Sequence, residues 1–227
     1  MLTMKTKERI NDMGIPVLIY GKSGSGKTTS LRNFKEGEIL YVNVERKMLP
    51  FRGKFKYVLQ TENVDTIVEQ MKKMPCKVAV IDDTTYLMTN MFMKFHKVMK
   101  GNSQFDLYNN IADTIWTLFE SVRTELPDDV IVYIVMHEDT NDYGETKLRT
   151  IGKLLDSKVQ PEGIVTICLR AMSDKGKHFF LTHSDGSDIT KSPIEMWAED
   201  KIPNDLKEVD STIRDYYGLS TTEKESK

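Results

Sequence analysis

Apolar residues in this chain fall into short bursts separated by polar turns, and the spacing within the bursts alternates between strand and helix. Ile15 to Tyr20 is an apolar run that stops at GKSGSGKTT, and Thr28 to Phe34 then reads as the opening turns of a helix. Ile39 to Val44 and Tyr57 to Leu59 read as strands, and Val64, Ile67, Val68 and Met71 share one helical face before Pro75. Lys77 to Ile81 is a further strand ending in Asp82 and Asp83. The Met-rich segment Tyr86 to Lys100 predicts a helix closed by GNSQ. Leu107, Ile111, Ile115, Leu118 and Val122 predict a longer helix stopped by Pro127. Val130 to Met136 is almost continuously apolar, the pattern of a central parallel strand covered on both faces. Glu138 to Thr150 is polar and predicts a loop. Gly163 to Ala171 and His178 to His183 predict a hairpin around SDKGK, followed by an irregular DGSDITKSP. A last helix is expected at Leu206 to Tyr217, before a polar tail, STTEKESK, that is expected to fray.

This alternation over 227 residues predicts an α/β fold with three layers, a mainly parallel twisted sheet and an antiparallel extension towards the C-terminus. One domain is expected over 1–205, with a C-terminal helix and flexible tail over 206–227. Apolar residues at 39% and charged residues at 29% exclude a mainly disordered or fibrous chain. The longest apolar runs are too short to cross a bilayer, and the charged start MLTMKTKERI lacks the apolar stretch of a signal peptide. A cytoplasmic location is therefore expected. Cys76 and Cys168 lie in apolar segments and read as buried, reduced thiols. With 32 basic and 34 acidic side chains the net charge is −2, so any nucleic-acid binding requires a local patch. The 13 methionines read as core filler.

The strongest chemical signal is Gly21, Lys22, Ser23, Gly24, Ser25, Gly26, Lys27 and Thr28, a complete G-x-x-x-x-G-K-T in a strand-to-helix context, followed by Thr29. Glycines let the backbone fold around a phosphate so that N–H groups and a helix start point at the anion. The cofactor residues are Gly21, Ser23, Gly24, Ser25, Gly26, Lys27, Thr28 and Thr29, and the expected cofactors are ATP and Mg²⁺. Lys27 is expected at the β and γ oxygens, and Thr28 at the metal. Such a loop needs a carboxylate at the end of a neighbouring parallel strand, and Asp82 sits there, on the rim where ligands bind in open α/β sheets. Asp83 reads as its supporting partner or as a cap of the next helix, and both aspartates could simply be caps. Glu45, at the end of YVNVE, is placed to polarise water for attack on the γ-phosphate, although alone it would be an ordinary exposed glutamate.

With those motifs in place, the chain resembles the RecA-like branch of P-loop ATPases from Ile15 to about Asp205, and more closely the phage nucleotide-binding proteins of that branch that act in single-strand annealing or recombination. The resemblance implies that Glu45 is the catalytic glutamate, that a DNA-contacting loop lies near Lys100 to Gln104, and that His137 occupies the sensor position. A second DNA loop would then span Glu138 to Lys153. The family commonly has Gln at the sensor, so His137 is a departure, and a core histidine satisfied by backbone is the rival reading. The KSP segment also resembles the phage family. RecA-like rings and filaments complete each site with a cation from the next subunit, which makes Lys191 a candidate in trans, against a solvated surface lysine. The expected partners are thus single-stranded DNA, further copies in a ring or filament, and a single-stranded-DNA-binding protein, in the host cytoplasm if the chain is phage-encoded.

Lys94, Lys97 and Lys100 recur at helical spacing among Phe92, Phe95 and His96. In the later segment Lys147, Arg149 and Lys153 accompany Tyr143. Cations that neutralise phosphates and aromatic faces that stack on bases are what single-stranded nucleic acid requires, and solvated helices with buried aromatics carry the same mixture. Two other function classes stay open: a small-molecule kinase, against which the scattered arginines argue, and a non-hydrolysing nucleotide-binding adaptor in a replication or packaging complex.

Overall fold

A computed structural model of the protein describes residues 13–219. The expected tail STTEKESK and the charged start MLTMKTKERI lie outside the described residues. The sheet runs in the order β3 (Tyr57–Leu59), β2 (Ile39–Asn43), β4 (Val78–Asp82), β5 (Ile131–Thr140), β1 (Ile15–Gly21), β7 (Ile167–Asp174), β8 (Lys177–Leu181) and β9 (Lys201–Pro203), with β6 (Thr146–Leu148) paired to the end of β5. All pairings from β3 through β7 are parallel, and β7–β8, β8–β9 and β5–β6 are antiparallel. The parallel strands are apolar without alternation because both faces are covered. Helices α1 (Val64–Lys73), α2 (Thr85–Phe95) and α3 (Asn102–Glu125) pack Ile67, Met88, Ile115 and Phe119 against Leu18, Ile81 and Ile134 on one face. On the other face Leu31 and α5 (Leu206–Tyr217), through Leu206, Val209 and Ile213, cover Ile19, Val80 and Val135. The three-layer α/β arrangement is the expected one, and α5 is part of its core.

The structure corrects several expected boundaries. Thr28–Asn33 is a 3₁₀ segment and not the start of an α-helix; its Thr-Thr-Ser start is a poor helix former, and the Ser30 hydroxyl donates to Lys27 O at 2.6 Å. Helix α2 stops at Phe95, short of Lys100, where His96 Nδ1 caps Phe92 O at 3.1 Å before the chain turns at Gly101. Gly163 belongs to a short helix α4 (Pro161–Ile164) that Pro161 opens, and the strand begins only at Ile167.

The largest correction concerns the polar stretch after His137. It forms a hairpin in which Glu138, Thr146 and Leu148 face inwards while Asp139 and Lys147 face solvent. Asn141 Oδ1 accepts from Tyr143 N and Glu145 N at 3.0 and 2.9 Å and shapes the turn. The irregular stretch after β8 is partly ordered by a bridge in which the Lys191 backbone exchanges both hydrogen bonds with Cys168. Both cysteines are buried and free. Among the described residues no helix is long and apolar enough to cross a membrane.

Candidate phosphate site

The carboxyl ends of four strands meet at one rim. Gly21 of β1 registers with His137 of β5, and Asp82 of β4 registers with Asn43 of β2. Because β5 lies between β1 and β4, His137 sits between the glycine loop and the aspartates. A polar cleft there is lined by Ser23, Gly24, Lys27, Thr28, Lys47, Asp82, Asp83 and His137, with Tyr41 and Thr29 alongside. A larger apolar cavity of about 870 Å³ lies at the amino ends of the strands, beside Met13 and Leu219, and contains no glycine loop.

The loop has the backbone that an anion cradle requires. Gly24 is left-handed with φ 77°, and a Cβ there would meet nothing within 4 Å, so the loop's mouth is open. Gly26, with φ 96°, has the opposite constraint, because a Cβ would lie 2.8 Å from the His178 ring of β8. His178 Nδ1 and Ser25 Oγ are buried without hydrogen-bond partners. Lys27 Nζ folds back onto its own loop and donates to Gly21 O and Lys22 O at 2.7 and 2.8 Å. Burial lowers its ammonium to about 8 against the attraction of Asp83, Asp82 and Glu138, and nearby Lys47 adds to the lowering.

The Thr28 hydroxyl donates to the Asp82 carboxylate at 2.9 and 3.2 Å, and Tyr41 Oη donates to the same group at 2.9 Å. Burial raises Asp82, Asp83 adds to it, and the Thr28 and Tyr41 hydrogen bonds oppose both. The residues present fit magnesium: a hydroxyl and a carboxylate converge as hard oxygen donors, leaving other positions for phosphate and water. Among the described residues no cluster of three or more His, Cys, Asp or Glu could hold a metal alone.

The Asp83 side chain is turned to Lys47 and His137, and the residue at the N-cap of α2 is Thr84. The Asp83 backbone is left-handed, φ 61°, and its carboxylate accepts from Lys47 Nζ at 2.7 Å and meets His137 Nε2 at 3.2 Å. Burial alone would raise it, but these two partners hold it below the usual carboxylate value. His137 faces the cleft, packs edge-on to Tyr86 with ring centroids 5.7 Å apart, and donates its backbone N–H to Thr85 Oγ1 at 2.9 Å.

Glu45 is adjacent to the cleft but does not line it; its carboxylate accepts from Asn90 Nδ2 of α2 at 2.9 Å. Lys47 takes the inner position. Asn43, buried at the end of β2, accepts from Lys47 N at 3.1 Å and donates to Lys47 O at 2.8 Å, and Arg46 turns left-handed at φ 54° inside that clip. The turn therefore points residue 47 into the cleft. Lys191, bridged to Cys168 near the start of β7, is not among the residues lining it.

The two basic regions adjoin. Phe92 stacks on His96 and Tyr108, with centroids 5.0 and 5.9 Å apart, and Gly152 packs against Tyr108, where a Cβ would come within 3.1 Å of the ring. Lys94 pairs with Glu62, Lys147 lies 3.9 Å from Asp156, and Lys97, Lys100, Arg149 and Lys153 are exposed. Tyr143 stands 91% exposed at the hairpin tip, and Met93, Phe95, Val98 and Phe105 are exposed around the α2–α3 turn.

Residues 13–192 match the family model described as AAA domain, most of the chain. The chain belongs to the AAA domain family. No curated protein gives a significant match. The AAA match and the mostly parallel sheet agree on an α/β P-loop NTPase fold, and the glycine loop lies within the matched residues. Lys47, Asn43 and His178 are not among the site residues that the sequence predicts. Lys47 and Asn43 lie within two residues of Glu45 in the segment already singled out, whereas nothing in the sequence ties His178 to the loop.

Proposed function

We propose that the protein is a magnesium-dependent ATPase of RecA-like type whose nucleotide state governs binding to single-stranded DNA, in support of strand annealing or recombination. The observation that carries the nucleotide part is the Thr28–Asp82 pair next to Lys27 in an open glycine loop. When bound, Mg²⁺ neutralises charge on the phosphate oxygens. Lys27 leaves its two loop carbonyls for the β and γ oxygens, and Thr28 and Asp82 would hold and orient the metal. Glu45 swings from Asn90, takes a proton from water, and the water oxygen bonds to the γ-phosphorus as its bond to the bridging oxygen breaks, releasing ADP and phosphate. His137 and Lys191 take the sensor and trans-acting roles, the latter within a ring or filament. The DNA part rests on the adjoining basic and aromatic regions: Tyr143 and the α2–α3 turn offer faces for bases, and Lys94, Lys97, Lys100, Lys147, Arg149 and Lys153 offer charge for the backbone.

Phosphate release with and without single-stranded DNA tests this reading. Stimulation by DNA is expected, together with loss of at least about a hundredfold in turnover for Glu45→Gln at unchanged ATP affinity. Turnover only with a small acceptor would make the protein a kinase. Tight ATP binding without turnover would make it an adaptor, the reading that Glu45's bond to Asn90 favours.

A further inference from the structure

We infer that Lys47 is the site's own second cation, which leaves Asp83 to bond the terminal phosphate and so distinguishes a nucleoside triphosphate from a diphosphate. This rests on the nucleotide-binding reading above and adds to it a residue that the glycine-loop motif does not contain.

Three observations carry it. The first is position: the Asn43 clip and the left-handed Arg46 aim Lys47 into the cleft that Ser23, Gly24, Lys27 and Thr28 also line. A chance surface lysine has no buried side chain holding both its N–H and its carbonyl. The second is its partner: Nζ donates to Asp83 at 2.7 Å and lies 4.8 Å from the centre of the Tyr86 ring, so the ammonium is held among an anion and an aromatic face on the cleft wall. The third is mobility at low cost. The Lys47 side chain is 53% exposed and its one hydrogen bond is to Asp83, so two of its three N–H donors are unspent. A half-exposed ammonium of this kind exchanges readily for a charge-assisted bond to phosphate oxygens.

The electrostatics point the same way. Lys27 and Lys47 both line the cleft, and a triphosphate's negative charge attracts both. Asp82 is committed to Thr28 and Tyr41, which leaves the Lys47–Asp83 pair as the one that can open. Release of Lys47 leaves Asp83 with His137 alone, so occupancy of the terminal phosphate position is passed to the residue that precedes the hairpin. No bond is made or broken at Lys47; its contribution is charge on the γ oxygens.

Calorimetry with magnesium and either ADP or the slowly hydrolysed analogue AMPPNP, on the full chain and on Lys47→Met, Lys47→Gln and Lys47→Arg, tests the inference. The parent should prefer AMPPNP. Lys47→Met and Lys47→Gln should each weaken AMPPNP about tenfold while ADP stays within about twofold, and Lys47→Arg should restore much of the preference. An unchanged preference in the folded neutral variants would overturn it, as would an equal loss for both nucleotides. A parent that binds neither nucleotide would instead bring down the nucleotide reading itself.

Discussion

Two buried arginine or lysine networks in this sheet use the same chemistry and end in opposite states. At the amino ends of β4 and β5, Arg214 of α5 donates to Asp210 at 2.7 Å and to Asp129 O and Lys77 O at 3.0 and 3.1 Å, and Tyr133 donates to Asp210 at 3.0 Å. Every partner there is a fixed part of the fold. At the carboxyl ends, Lys27 is satisfied only by carbonyls of its own loop, Lys47 by a single carboxylate, and Ser25 and His178 keep buried polar atoms unpaired. A saturated network holds a structure together; an undersatisfied one keeps its groups exchangeable, as a ligand site must.

Three experiments probe that contrast. Arg214→Ala strands the Asp210 carboxylate, which burial already raises in spite of Arg214, and denaturant unfolding should show a loss of about 3–5 kcal/mol with nucleotide affinity per folded molecule unchanged. An effect under about 1 kcal/mol would show that the amino-end network is not a staple. Next in size, magnesium with AMPPNP at about a hundred times its dissociation constant should stabilise the parent by about 2.7 kcal/mol, with the same increment in Arg214→Ala. Unequal increments would mean that the two networks are coupled.

The smallest effect is on pH. Lys27 is lowered to about 8 in the native protein, against about 10.4 in an unfolded chain. Unfolding therefore takes up a proton between those values, and Lys27's contribution to stability rises with pH across that window. The charged form is the one that binds phosphate, so triphosphate affinity should fall above pH 8 by up to about tenfold per unit, about 1.4 kcal/mol, with proton uptake on binding. Flat affinity from pH 7 to 9, measured by calorimetry in buffers of different ionisation heat, would separate Lys27 from the anion.

Much of this was legible beforehand because continuous apolar runs such as Val130 to Met136 arise only where both faces of a strand are covered, and because the glycine loop's motif is local in sequence. The hairpin after His137 was hidden since its inward face is polar: Glu138 is met by Arg170 of β7 at 2.8 and 3.0 Å, and Thr146 by the same guanidinium at 3.0 Å, so the alternation does not register as apolar and polar. Lys47 was hidden for another reason. A left-handed residue and an asparagine clip decide which of three successive polar side chains faces inwards, and periodicity does not carry that information.

The contact between Gly26 and His178 reaches beyond the loop's shape. The inner wall of the phosphate cradle is furnished by β8, some 150 positions further along the chain and antiparallel to the strand beside it. The C-terminal extension of the sheet thus packs directly against the glycine loop, and a truncated version ending at β7 would keep every letter of the motif yet lose the surface against which it is moulded.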